Sequence, residues 1–192
     1  MRLSEVLRGR TLLGRLRLAW RRWRTGARVP DLDRAILYHP ALFGRPFMAY
    51  AQAMLREPGE WNLGERELFA VMASRFMKCQ YCLSTHREIA VREMPAGVVE
   101  AVIEDWRSAP IPDRLKAVIG FYEKLTERPA EVGPADIAPL RAAGITDAAI
   151  VEAMHIRALF SIVTRVADAL GFELPPTKVM EDRARQVKPR VA

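Results

Sequence analysis

Apolar residues recur along this 192-residue chain at intervals of three and four, with almost no alternating β-branched runs. That spacing predicts an all-helical protein. Residues 12–24 read as a first helix in which Leu13, Leu16, Trp20 and Trp23 share one stripe while Arg10, Arg17, Arg21 and Arg24 lie opposite. The stretch from Pro30 to Pro40 leads into a helix at about 41–57, which Pro46 should break or kink because proline cannot donate the backbone bond the helix needs. Asn62 followed by Glu65 imitates a capping box and opens a helix at about 63–77 with Leu68, Phe69, Met72 and Phe76 inward. Residues 79–93 form another, stopped by Pro95, and helices at about 97–108 and 113–127 follow, separated by Pro110 and Pro112. A short helix at about 134–142 ends at Gly144, and Thr146 caps the longest run, about 147–170, closed by Gly171. Beyond it, Pro175, Pro176 and a polar basic stretch mark the end of packing. The chain thus divides into an N-terminal arm (1–29), a compact helical domain (30–176) and a C-terminal tail (177–192).

Composition fits one compact domain: 50% of residues are hydrophobic and 28% charged. A chain of this length buries enough surface to need neither disulfides nor structural metals. No run approaches the roughly 18 uncharged apolar residues of a membrane span, and the first thirty residues lack the apolar core of a signal peptide, so the expected location is cytoplasmic. The net charge of +7 sits at the ends. Residues 1–30 hold nine arginines against the single acid Glu5, residues 178–192 hold five cations against two acids, and the body between is mildly acidic. The leading reading of the Trp and Arg stripe is a helix packed on its own domain or on a neighbouring subunit, with its arginines solvated. Peripheral contact of residues 12–24 with an anionic membrane comes second. No helix-turn-helix, zinc-finger or aromatic RNA-binding signature accompanies the charge, so no specific nucleic-acid partner is expected.

The chemistry concentrates in one place. The only two cysteines, Cys79 and Cys82, stand three apart, and His86 follows four residues after Cys82. On a helix these offsets bring all three side chains to one face. A thiol at a helix N-terminus beside an imidazole is favoured as thiolate, the form that attacks peroxides and disulfides. Cys82, the nearer to His86, reads as the attacking sulfur and Cys79 as the resolving one, which condenses with the resulting sulfenic acid. A base histidine needs a partner on its other nitrogen, and spacing leaves both Glu65 and Glu67 open for that role. His39 and His155 read as structural, and Arg165 and Asp168, three apart, as a structural ion pair.

The run Glu67-Leu68-Phe69-Ala70 through Cys79-Gln80-Tyr81-Cys82-Leu83-Ser84-Thr85-His86 resembles the Glu, Cys-x-x-Cys, x-x-x-His signature of AhpD-like alkylhydroperoxidases, within the carboxymuconolactone decarboxylase family. The stretches Leu140 to Asp147 and Arg165 to Gly171 resemble the second half of its peroxidase-related members, so the likeness spans roughly residues 30–176. The resemblance implies an all-α domain that forms a homo-oligomer and reduces a hydroperoxide. In its relay Glu67, rather than Glu65, orients His86, His86 activates Cys82, and Cys79 resolves. It also implies reduction by an external dithiol, either a lipoylated or a thioredoxin-like protein, with no metal or flavin cofactor. The chain departs from the pattern at Tyr81, where the characterised hydroperoxidase has a second histidine, and at Thr164, where relatives carry asparagine. Two alternatives stand beside this reading: a decarboxylase-like lyase in which the cysteines are incidental, and a zinc-binding or noncatalytic helical interaction protein, since two thiols, an imidazole and a carboxylate make a tetrahedral ligand set.

Overall fold

The computed structural model describes residues 1–26 and 28–187, and every regular element among them is helical. In chain order these are α1 (Ser4–Arg8), α2 (Leu12–Thr25), α3 (Asp31–Tyr38), α4 (Pro40–Phe43), α5 (Arg45–Arg56), α6 (Leu63–Phe76) and α7 (Gln80–Glu93). They continue with α8 (Ala96–Asp105), α9 (Asp113–Glu127), α10 (Ile137–Ala142), α11 (Asp147–Leu170) and α12 (Thr177–Gln186). The all-α expectation therefore holds.

Helix α6 forms the axis of the bundle. Every residue from Arg66 to Ser74 is buried, so the helix has no solvent face, as expected for one covered on all sides. Its neighbours are chiefly α7, α9 and α11. Leu68, Phe69 and Met72 meet Tyr122 of α9 and Ile156 and Leu159 of α11 in one continuous core. Its start is fixed by the predicted box: the Asn62 side chain accepts from the Glu65 amide at 3.0 Å, and the Asn62 amide donates to Glu65 Oε2 at 2.9 Å. Just before the cap, the buried Trp61 indole donates to the Ala149 carbonyl at 2.8 Å, tying this end of α6 to α11.

The break expected at Pro46 falls at Gly44, between α4 and α5. A Cβ at Gly44 would collide with the Pro40 carbonyl, while Pro46 sits inside the first turn of α5, where a missing N–H costs nothing. Helices α9 and α11 run over the predicted residues, and Thr146 accepts from the Ala149 amide as the cap of α11. The residues expected as one helix at 134–142 begin as a 3₁₀ turn, Pro134–Asp136, before α10.

Three expectations need correction. The stretch between Pro30 and Pro40 is itself a helix, α3, with Asp31 and Ala35 buried. Packing does not end at Pro176: α12 lies against α7 with Met180 and Ala184 buried, so residues 177–186 belong to the packed body, and residues 188–192 lie outside the described residues. Third, the stripe on α2 does not pack on its own domain. Leu13, Leu16, Trp20 and Trp23 are exposed, and α2 rests on the body through Leu18 instead.

Because the α6 cap satisfies two amides that would otherwise be orphaned, Asn62→Ala should lower unfolding free energy by about 1 kcal/mol. Denaturant titration should show a lower midpoint at unchanged slope.

Candidate active site

The same capping box decides between the two candidate glutamates. Glu65 spends its carboxylate on the Asn62 amide at the mouth of α6. Glu67, two residues on, turns into the bundle and is fully buried. Glu67 Oε2 meets His86 Nδ1 of α7 at 2.6 Å, and Oε1 is ion-paired with Arg56 at the end of α5. Arg56 also donates to the Leu55 carbonyl at 2.7 Å. Burial alone would push the Glu67 carboxyl up, but the charge and hydrogen bond of His86, and then those of Arg56, outweigh it and hold the group below the ordinary carboxylate value. With Nδ1 engaged by a carboxylate, the imidazole keeps its proton there and leaves Nε2 as the free nitrogen. The ring is wedged edge-on against Phe160 of α11, centroids 4.7 Å apart.

Cys79 is the N-cap residue of α7, and its amide donates to the Ser74 carbonyl at 3.0 Å. The reversal between α6 and α7 is made by Lys78 in the left-handed region, φ 58°. Cys82 lies in the first turn of α7, with its Sγ 3.2 Å from that of Cys79. Both thiols are reduced and buried. A disulfide needs about 2.05 Å, so closure requires a rotation of side chains rather than a rearrangement of helices. The pair shares one ionisation: hydrogen bonding from Cys82 brings the Cys79 thiol below its ordinary value against burial, whereas the Cys79 hydrogen bond and charge together with burial push Cys82 well above it. Of the two thiols, Cys79 therefore ionises the more readily, and ionising Cys82 requires a base.

A residue that spacing assigned elsewhere acts here. No Arg165–Asp168 ion pair forms among the described residues; the Asp168 carboxylate instead disfavours ionisation of both thiols. Arg56 was missed outright, since nothing in the spacing of α5 marks an arginine eleven residues before Glu67 as its partner. His155 is held by the Tyr50 hydroxyl, Nδ1 to Oη 3.0 Å, in line with a structural role. Of the two departures, Tyr81 is buried against Phe172, and burial pushes its phenol up to about 12. Thr164 is buried and donates to the Phe160 carbonyl within α11 at 2.6 Å.

A cavity of about 330 Å³ opens in front of His86. Its walls include Arg56, Phe47, Met48, Leu159, Phe160 and Met180, and neither cysteine lines it. The imidazole thus lines an apolar chamber and follows Cys82 by one turn of α7. Among the described residues no group of three or more His, Cys, Asp or Glu side chains is arranged to hold a metal ion, and Glu67 is already engaged on both oxygens.

The model of the carboxymuconolactone decarboxylase family matches residues 41–103, the segment that contains Glu67, both cysteines and His86. Among solved structures, an AhpD-core, uncharacterised peroxidase-related protein from Ralstonia eutropha JMP134 superposes with a TM-score of 0.72 at 29% identity, covering 90% of this chain and 89% of that one. An uncharacterised peroxidase-related protein from Silicibacter sp. TM1040 gives 0.71 at 25% identity, covering 85% and 84%. The debrominase Bmp8 shares the fold alone, with 0.68 at 18% identity over 94% and 90%. No curated protein matches the sequence. The fold is AhpD-like, and the segment that builds the site matches the model of the carboxymuconolactone decarboxylase family.

Two outcomes follow from the electrostatics. A carboxyl held below its ordinary value adds stability that is fully present above that ordinary value and is lost as pH falls from there through the lowered one. Glu67→Gln should therefore flatten the acid limb of the stability–pH curve and, by leaving Arg56 buried without its counter-charge, cost about 3 kcal/mol at neutral pH. Cys79→Ser removes the first cause of the raised Cys82 value, so thiolate absorbance in that variant should titrate at lower pH than the Cys82 step of the parent.

Proposed function

We propose that the protein is a thiol-dependent hydroperoxide reductase. The observation that carries this reading is the buried dithiol, 3.2 Å between sulfurs, one helical turn from an imidazole whose Nδ1 is fixed by Glu67 at 2.6 Å. The family segment and the two peroxidase-related structures at 25% and 29% identity support it.

Glu67 orients His86 by holding its Nδ1. His86 Nε2 accepts the Cys82 proton, which the raised value of that thiol makes necessary. The Cys82 thiolate attacks the terminal oxygen of the hydroperoxide, and the O–O bond breaks. The departing alkoxide takes the proton from His86 and leaves as the alcohol, with Cys82 as sulfenic acid. The Cys79 sulfur, favoured as thiolate, then attacks the Cys82 sulfur. The S–O bond breaks, and hydroxide leaves as water with the proton that the Cys79 thiol gives up. The peroxide has gained two electrons, and the two thiols have given them up to form the Cys79–Cys82 disulfide. An external dithiol, on a lipoylated or thioredoxin-like protein, restores the pair by exchange and is itself oxidised. A homo-oligomer in the reducing cytoplasm completes the reading.

Mass spectrometry before and after one equivalent of an organic hydroperoxide tests it. The parent should lose both thiols as a Cys79–Cys82 disulfide, Cys79→Ser should stop at a sulfenic acid on Cys82, and Cys82→Ser should consume no peroxide. His86→Ala should slow the reaction by about 10²–10⁴-fold at neutral pH. Equal peroxide reactivity of the two serine variants would overturn the division of roles.

A further inference from the structure

Among the described residues, helix α2 carries the largest group of exposed large apolar side chains. At about 100° per residue, Leu12, Leu13, Leu16, Trp20 and Trp23 fall within an arc of about 100°. All five are exposed, Trp23 at 82% and Leu12 at 74%. Arg17, Arg21 and Arg24 border one edge of the arc and Arg15 and Arg22 the other, all exposed, and residues 12–25 contain no acid. Arg24 lies over the Trp20 ring, 5.2 Å from its centroid. Leu18, on the far side of the helix, is buried, so α2 is anchored by its back and presents this face outward.

The composition of the face selects its occupant. A second copy laid face to face would bring two bands of arginine together with no acid in either helix; Arg21 already lies 3.8 Å from Asp33 of α3, and the bands would still meet like charge with like charge. An anionic bilayer supplies both halves of the complement: an acyl boundary for the Leu and Trp arc, and phosphates or carboxylates at the depth to which flanking arginines reach. No helix among the described residues is long and apolar enough to cross the membrane, so contact would be in the plane of the interface.

The same helix borders the approach to the cavity. Trp20, Arg21 and Arg24 share a recess of about 540 Å³ with Asp33 and Arg183, and these last two residues also line the chamber before His86. Asp33 of α3 and Arg183 of α12 are ion-paired where the two spaces meet. We propose that α2 docks the protein on an anionic membrane surface, and that the chamber beside His86 thereby receives apolar hydroperoxides carried in the bilayer. The substrate clause rests on the hydroperoxidase reading; the docking clause does not.

The test uses the full chain and vesicles of phosphatidylcholine with or without phosphatidylserine. Co-sedimentation should require the anionic lipid, weaken with added salt, and fall about tenfold or more in a Leu16→Glu/Trp23→Glu variant whose helical circular dichroism matches the parent. Absence of binding, equal binding to neutral vesicles, or undiminished binding by the variant would overturn docking. So would a parent oligomer that the variant dissolves while the parent ignores vesicles, which would assign the face to a second copy. The second arm measures turnover, with a soluble dithiol as reductant, of a phospholipid hydroperoxide in those vesicles against a water-soluble hydroperoxide. The variant should lose the first activity and keep the second. Equal turnover of the vesicle-borne substrate by parent and variant would overturn the substrate clause. Vesicle binding without turnover of either peroxide would overturn the hydroperoxidase reading and leave docking intact.

Discussion

Glu67 is a carboxylate with no access to water, and the bundle can hold it ionised only because an imidazole and a guanidinium meet it from different helices. The cost of burying one charge is far larger than the ordinary stability of a domain, so the three groups must arrive together. That requirement sets the relative positions of α5, α6 and α7: Arg56 must reach the centre from the end of α5, and His86 must sit one turn past Cys82 on α7. The α6 capping box starts this arrangement by holding Glu65 outside and turning Glu67 inward. A second ion pair of partly buried groups, Arg66 with Glu152 at 2.8 Å, fixes the same helix to α11 and so brings Phe160 against the imidazole.

The dithiol inherits its properties from that scaffold. Two sulfurs at 3.2 Å in an apolar setting cannot both carry charge, so one proton is retained between them. Asp168 raises the cost of any thiolate there, and the Cys79 position at the head of α7, where amide dipoles point outward, offsets it. On the proposed function, Cys82 is a thiol that reacts only when His86 takes its proton. This differs from the simplest expectation, in which the sulfur nearest the histidine is already the thiolate. Under the proposed function it would make the Glu67–His86 contact a condition of reactivity rather than an adjustment to it.

Much of this was legible in the chain itself because local rules governed it. The capping box at Asn62, the Thr146 cap, the proline-bounded limits of α9 and the i, i+3, i+7 set of Cys79, Cys82 and His86 each depend on residues within one or two turns. What was not legible depends on contacts between distant segments. Arg56 carries no signal in the spacing of α5, because its partner lies beyond a loop. Short helices such as α3 give too few turns for periodicity to register between Pro30 and Pro40. Helix α12 reads as polar because only Met180 and Ala184 turn inward, and they do so only once α7 is present to receive them.

The charge of the chain illustrates the same dependence. Read linearly, the basic ends look like appendages to an acidic body. Folded, they close on acids that the body buries. Asp31 of α3 is fully buried and accepts from Arg28 at 2.8 Å and from the Glu173 amide at 2.9 Å, so one carboxylate joins the N-terminal arm to the segment after α11. Asp33, one turn edge away on the same helix, pairs with Arg183 of α12. The Arg2 amide donates to the Leu170 carbonyl at 2.6 Å, which seats the first residues over the end of α11. Part of the terminal charge, Arg21 beside Asp33 at 3.8 Å included, is therefore consumed in covering the cavity side of the bundle, and Arg15, Arg17, Arg22 and Arg24 of α2, set on either side of bare tryptophan and leucine, are exposed. An excess of positive charge that is indifferent to the fold would not divide in this way.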